Sequence, residues 1–280
     1  MKGLDTWLMQ QGLSIQKDQN VSGGCVAVSR RLTLSNGQQV FVKSMDKPAT
    51  GLFRAEAAGL KALGECTDIS VPEVIYTGED CLILDYIETG ERSGDFEQLL
   101  GQQLASLHQM SVPSFGFTLN TFCGSTEQPN LSTSDGYAFY AEHRFGYLAR
   151  QCFEQQLIGK ETLRGIESIC NRLQELIPQQ EPALLHGDLW AGNVMSDRRG
   201  LPILIDPAVY WGWPEADLAM TQLFGGFSHA LYQAYQEVSP LERGWRVRFQ
   251  IYNLWHLLNH LYLFGESYRA DVMAVVAKYR

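Results

Sequence analysis

Three polar side chains near the middle of the sequence define its chemistry. The stretch His186-Gly187-Asp188-Leu189-Trp190-Ala191-Gly192-Asn193 carries an acid and an amide on one short loop. Downstream, Ile203-Leu204-Ile205-Asp206-Pro207 ends an apolar strand in a second acid. Asp188 and Asn193 are five residues apart, so a tight loop can point both into one pocket. Phosphoryl transfer needs this set of groups: Asp188 to orient an attacking hydroxyl and accept its proton, Asn193 and Asp206 to hold Mg2+ against nucleotide phosphates. His186 is expected to brace the loop rather than take the proton. Pro207 has no backbone N–H, which suits a rigid turn after Asp206.

The cation such a site needs is expected from Lys43, at the end of Val40-Phe41-Val42-Lys43. The following stretch, Leu52 to Leu63, has helical periodicity, with Phe53, Leu60 and Leu63 on an inner face. Glu56 on that helix can turn toward Lys43 and hold it against the α- and β-phosphates. Taken singly, Lys43 reads as a surface charge and Glu56 as a solvent partner of Arg54 or Lys61. The specific signal is the order: strand lysine, helix glutamate, Asp-x4-Asn, then a strand ending in Asp.

These groups need elements to position them. Asn36-Gly37 between the β-like runs 25–34 and 39–43 predicts a hairpin. Gly23 and Gly24 just before it let backbone amides approach a phosphate, although two such glycines are more often a plain turn. A helix is expected from Asp5 to Gln11, and strands from Val71 to Thr77 and Cys81 to Ile87. The second strand can cross between lobes, leaving the Asp85 carbonyl and the Ile87 amide to pair with adenine. Helices are expected from Phe96 to Met110, Tyr137 to Cys152 and Glu161 to Ile177, with a polar loop over 112–134 that borders a substrate site. His108 reads as structural, Asp217 as a brace for the catalytic loop, and His256 and His260 as core or pocket-wall residues. The fold class implied is α+β and two-lobed, with an N-terminal lobe (1–86) of antiparallel sheet plus helix and a mostly helical C-terminal lobe (87–280).

Composition narrows the partners. The chain has 280 residues, 45% hydrophobic and 19% charged, ordinary values for a globular protein. A net charge of −9 without a basic tract argues against nucleic acid and anionic membranes as partners. No apolar stretch approaches a membrane span, and the polar start is no secretory signal. Six cysteines without a Cys-x-x-Cys pair suggest free thiols in a reducing cytoplasm. Only 10 residues separate Asp206 from Asp217, too few for a long activation segment, so the acceptor is expected to be a small molecule.

Over nearly its whole length the sequence resembles the fructosamine (ketosamine) kinase family, within the aminoglycoside phosphotransferase and choline kinase branch of the protein-kinase-like fold. The resemblance runs through Gly23-Gly24-Cys25, Phe41-Val42-Lys43, Glu56, Leu185 to Trp190 with Gly192-Asn193, Asp206-Pro207-Ala208, Glu215 to Thr221, Leu223 to Phe227 and His256 to His260. It implies ATP- and Mg2+-dependent phosphorylation of the 3-hydroxyl of a ketosamine, free or on a glycated protein. The phosphorylated product is unstable and sheds its sugar, which amounts to deglycation. It further implies Trp190 as a substrate-side wall and Cys25 as a redox-sensitive cysteine linking dimers of an otherwise monomeric protein. Two departures, Trp213-Pro214 and Gly136-Tyr137, fall where the family places residues that touch substrate. Two alternatives stay open: a phosphotransferase for another small alcohol, such as an aminoglycoside or choline, and an inactive nucleotide-binding or redox-sensing module.

Overall fold

Period-two alternation builds the N-terminal sheet and decides which way Lys43 faces. A computed structural model describes residues 2–21 and 27–280. Helix α1 (Lys2–Gln11) precedes β1 (Ile15–Asn20), β2 (Val28–Leu34) and β3 (Gln39–Ser44); α2 (Leu52–Gly64), β4 (Val74–Thr77) and β5 (Cys81–Asp85) complete the lobe. The five strands pair antiparallel in the order β1-β2-β3-β5-β4. Leu32, Leu34, Val40, Val42 and Ile83 pack on one face against Leu4, Trp7 and Leu8 of α1. On the other face Phe41, Leu82 and Leu84 meet Leu52, Phe53 and Leu60 of α2. Lys43 shares the parity of Phe41, so its side chain leaves the sheet on the α2 side.

The expected elements are present with shifted ends. Helix α1 starts at Lys2, β4 starts after Pro72, which has no N–H for a ladder, and β5 stops at Asp85. Strand β1 was not expected: it lies on the sheet edge and all six of its residues are exposed, so no apolar alternation marks it. From Tyr86 the chain crosses to the second lobe, tied down where Gly90 N donates to Ser196 O (3.2 Å) and Ser93 N to Gly200 O (3.1 Å).

The second lobe is mostly helical. It begins with α3 (Phe96–Gln109), followed by the short strands β6 (Thr121–Cys123) and β7 (Thr126–Gln128), α4 (Gly136–Tyr140) and a π-helical turn at Ala141–Phe145. Then come α5 (Gly146–Glu154), α6 (Lys160–Asn171), α7 (Leu173–Leu176) and β8 (Ala183–Leu185). After β8 stand β9 (Val194–Ser196), β10 (Pro202–Leu204), β11 (Tyr210–Gly212), α8 (Glu215–Leu223), α9 (His229–Val238), α10 (Trp245–Phe264) and α11 (Arg269–Tyr279). The 112–134 segment expected as a loop therefore contains the β6–β7 hairpin. The helix expected from 137 to 152 is interrupted where Arg144, fully buried, lies over the rings of Tyr210 (3.9 Å) and Phe139 (4.5 Å) and donates to Pro129 O and Asn130 Oδ1. Helices α3 and α9 touch at Gly101, where a Cβ would stand 2.3 Å from Leu231 O. The last turns of α2 and the loop after it contribute Leu63, Cys66 and Ile69 to this large core. Among the described residues no helix is long and apolar enough to cross a membrane.

Candidate active site

The His186–Asn193 loop leaves β8 and is held from behind by one carboxylate. Asp217, 1% exposed on the first turn of α8, accepts from His186 N (2.7 Å) and Gly187 N (2.8 Å), while His108 Nε2 lies 3.3 Å away. His108 also meets the Tyr235 hydroxyl at 2.9 Å, so its role is structural, as expected. Burial alone would raise the Asp217 pKa, but His108, His186 and the Gly187 amide together hold it below the usual carboxylate range. Gly187 has φ 81°, and a Cβ there would lie 2.0 Å from Ala208 O, so this position admits only glycine. His186 Nε2 donates to Ile205 O (2.9 Å), which leaves Nδ1 to accept from Asp188 N (3.3 Å). Burial pushes the His186 pKa down, in keeping with this neutral tautomer. His186 and Asp217 are thus braces, as the sequence suggested.

Asp188 and Asn193 meet across their loop. The Asn193 side-chain amide donates to Asp188 O (2.8 Å) and Asp188 Oδ2 (3.2 Å), and among the described residues its carbonyl oxygen takes part in no hydrogen bond. Burial, and then the neighbouring Asp206 carboxylate, push the Asp188 pKa up to about 7. Asp206 follows β10 and takes φ 54°, a left-handed conformation that Asp tolerates better than most residues but that is still strained. Its carboxylate pairs with the Lys43 ammonium. Lys43 Nζ also lies 2.5 Å from Glu56 Oε1, so Lys43 joins strand β3, helix α2 and the second lobe. Burial disfavours the Lys43 charge, but the two carboxylates outweigh it and raise its pKa. Sequence order suggested the Lys43–Glu56 pair; the Lys43–Asp206 pair was not foreseen.

Around Asp188 and Trp190 the structure adds Cys123 and Phe224, which the sequence left unassigned, to the expected His256 and His260. Strand β6 sends alternate side chains to two places: Phe122 packs on the Leu52–Phe53–Leu60 cluster, and the buried Cys123 thiol lies within 4.8 Å of an Asp188 carboxylate oxygen. His256 Nδ1, on α10, is 4.0 Å from Asp188 Oδ1. Trp190 is 38% exposed and meets the edge of Phe224 at 6.3 Å, and Phe224 lies 4.9 Å from the His260 ring. Trp190, Phe224 and His260 therefore form a run of ring contacts next to the Asp188 loop. Trp213, in the first departure from the family pattern, is 1% exposed and stacks on Tyr140 at 4.3 Å and 5°. Gly136 faces the Phe115 ring, and Asp135 caps α4 through Tyr137 N and Ala138 N, so the second departure also serves packing.

Asp85 accepts from Glu73 N through its side chain (2.5 Å), which ties the end of β5 to the chain entering β4. Ile87 lies just beyond β5, and among the described residues its N–H has no hydrogen-bond partner. Gly23, Gly24 and Cys25 lie outside the described residues.

A five-stranded lobe with one pairing helix, set on a helical lobe that carries an Asp–Asn loop and a second Asp, defines a protein-kinase-like phosphotransferase fold. Solved macrolide and aminoglycoside phosphotransferases share it, with TM-scores of 0.65 and 0.64 at 13% and 15% identity. More narrowly, the chain belongs to the fructosamine kinase family, whose profile matches residues 5–280. It is 39% identical to a candidate ketoamine kinase of Synechocystis, over 95% of this chain and 91% of that protein. It is 35% identical to the chloroplastic protein-ribulosamine 3-kinase of Arabidopsis thaliana, over 98% of this chain and 86% of that protein. A candidate fructosamine-3-kinase from Thermobifida fusca, solved by crystallography, superposes with a TM-score of 0.90 at 32% identity, covering 99% of this chain and 98% of that one.

Proposed function

We propose that the chain is an ATP-dependent kinase that phosphorylates the 3-hydroxyl of ketosamines of the fructosamine or ribulosamine type. The observation that carries this reading is the convergence of Lys43, Glu56, Asp188, Asn193 and Asp206 from separate elements. Relatives named for ketoamine and ribulosamine phosphorylation support the substrate class.

The donor set fits a hard divalent cation. Glu56 and Asp206 pair with the Lys43 ammonium, Asp206 in turn neighbours Asp188, and among the described residues the carbonyl oxygen of Asn193 takes part in no hydrogen bond. Oxygen donors of this kind suit Mg2+, and Asn193 and Asp206 would hold it. Bound Mg2+–ATP would supply the phosphoryl group and neutralise charge as it develops. Lys43, oriented by Glu56, would hold the α- and β-phosphates. Gly23 and Gly24 would approach the phosphates through their backbone, and Asp85 and Ile87 would pair with adenine. Asp188 would accept the hydroxyl proton as the oxygen attacks; a carboxylate raised toward neutrality is well matched to that task. Trp190 and Phe224, both exposed, would pack on the sugar or its amine. Cys25 remains the proposed redox contact between copies.

A coupled assay of Mg2+-dependent ATP consumption across fructosamine, ribulosamine, erythrulosamine, an aminoglycoside and choline tests this. Turnover with ketosamines is expected. Turnover confined to the other alcohols would replace the substrate class, and none with any acceptor would replace the enzyme reading.

A further inference from the structure

Beside Asp188 stand two buried donors, Cys123 and His256, that phosphoryl transfer does not use. Cys123 Sγ from β6, a carboxylate oxygen of Asp188 and a ring nitrogen of His256 from α10 lie within 4.8 Å of one another. Cys123 is 3% and His256 6% exposed. His256 Nδ1 faces Asp188 Oδ1 at 4.0 Å, yet among the described residues it has no hydrogen-bond partner. A buried polar nitrogen left unpaired is costly and calls for a ligand. Burial and the neighbouring His260 push the His256 pKa down to about 3, so the ring is neutral and can offer a lone pair. Neighbouring polar groups brace two of the donors: Asn259 Nδ2 donates to the Cys123 carbonyl (3.3 Å), and His260 Nδ1 to the His256 carbonyl (2.8 Å).

Sulfur, imidazole and carboxylate together select a borderline-soft metal over Mg2+, which prefers oxygen alone. Zinc ligands at about 2.0–2.3 Å place neighbouring donors about 3.5 Å apart, so closure on the ion draws this set inward by about 1 Å. Three protein ligands leave the fourth position to water. We propose that Cys123, Asp188 and His256 form an inhibitory site for a thiophilic divalent cation, with Zn2+ as the first choice. On binding, the Cys123 thiol gives its proton to solvent and its sulfur an electron pair to the metal; no group changes oxidation state. Occupancy ties up the Asp188 oxygen that the sugar hydroxyl needs. This inhibition rests on the proposed role of Asp188; cation binding does not.

The test titrates the chelator-treated full-length protein with Co2+. A thiolate-to-cobalt charge-transfer band in the near ultraviolet is expected, displaced by Zn2+, lost in Cys123→Ser and retained in Cys25→Ser. His256→Gln is expected to weaken Co2+ and Zn2+ binding at least tenfold, and it carries the comparison if Cys123→Ser does not fold by urea titration. With Mg2+–ATP saturating, Zn2+ should inhibit turnover reversibly and in competition with the ketosamine. The residual activity of Cys123→Ser should be at least tenfold less sensitive. No band in the unaltered protein, or a band that survives in Cys123→Ser, would overturn the site. A Cys123-dependent band with undiminished turnover would overturn the inhibition and, with it, the place given to Asp188.

Discussion

Asp217 never faces the pocket, yet its replacement is expected to damage catalysis and stability together. In Asp217→Asn one amide oxygen can still accept from His186 N or Gly187 N, but the amide NH2 then confronts the other donor. One buried backbone N–H is left unpaired, at about 1–3 kcal/mol, and the surviving bond loses its charge assistance. Together these cost about 2–4 kcal/mol. Asp217→Ala strands both N–H groups and a His108 contact, for about 3–6 kcal/mol, a large part of the stability of an ordinary domain. The same two N–H groups set the position of Gly187, whose contact with Ala208 leaves the loop little room to adjust. A shift of about 1 Å at Asp188 is enough for a loss of about 10²-fold in rate. Urea unfolding gives the stability change, and kcat at saturating ATP and ketosamine gives the catalytic one. An Asp217→Asn protein within about 0.5 kcal/mol of the parent and with full kcat would refute the bracing argument.

Glu56→Gln should lower kcat/KM for ATP by about 10–100-fold, or about 1.4–2.7 kcal/mol, with little change in KM for the ketosamine, since it frees Lys43 from one of its two carboxylates. Trp190→Ala should raise KM for the ketosamine by about 3–10-fold and leave KM for ATP alone, as steady-state kinetics with each substrate varied will show. The buried His256 gives a pH effect of defined sign. Its folded pKa, about 3, lies below the ordinary 6.5, so the unfolded chain binds more protons between those values. His256 therefore lowers stability by about 1.4 kcal/mol per pH unit as pH falls from 6.5 toward 3. The difference between the parent and His256→Gln in urea titrations at pH 7 and pH 5 measures this.

Much of the site was legible because the chemistry follows chain order. Lys43 ends a strand with clear alternation, Glu56 sits on a helix with a clear apolar face, and Asp188 and Asn193 share one loop. What escaped was long-range or unpatterned. Strand β1 is exposed throughout, and β6 is three residues long, too short to show a period inside a polar segment. The approach of Cys123 to Asp188 joins two segments far apart in sequence, and nothing local announces it. Helix α10 is apolar nearly all round, so no stripe told which side of His256 would meet the pocket. The left-handed backbone of Asp206 is likewise invisible in an Ile-Asp-Pro string, although that residue joins Lys43 to the second lobe. The departure at Trp213, whose consequence the sequence left open, is core packing.

Comparison of the parent with Asp188→Asn tests the account most directly, because Asn keeps the size of the side chain and removes the proton acceptor. Nucleotide affinity, measured by titration calorimetry with ATP and Mg2+, should stay within about threefold. Ketosamine phosphorylation, followed by phosphorus NMR of the product, should fall by at least about 10³-fold. Phosphorylation by Asp188→Asn at a rate near that of the parent would contradict the account.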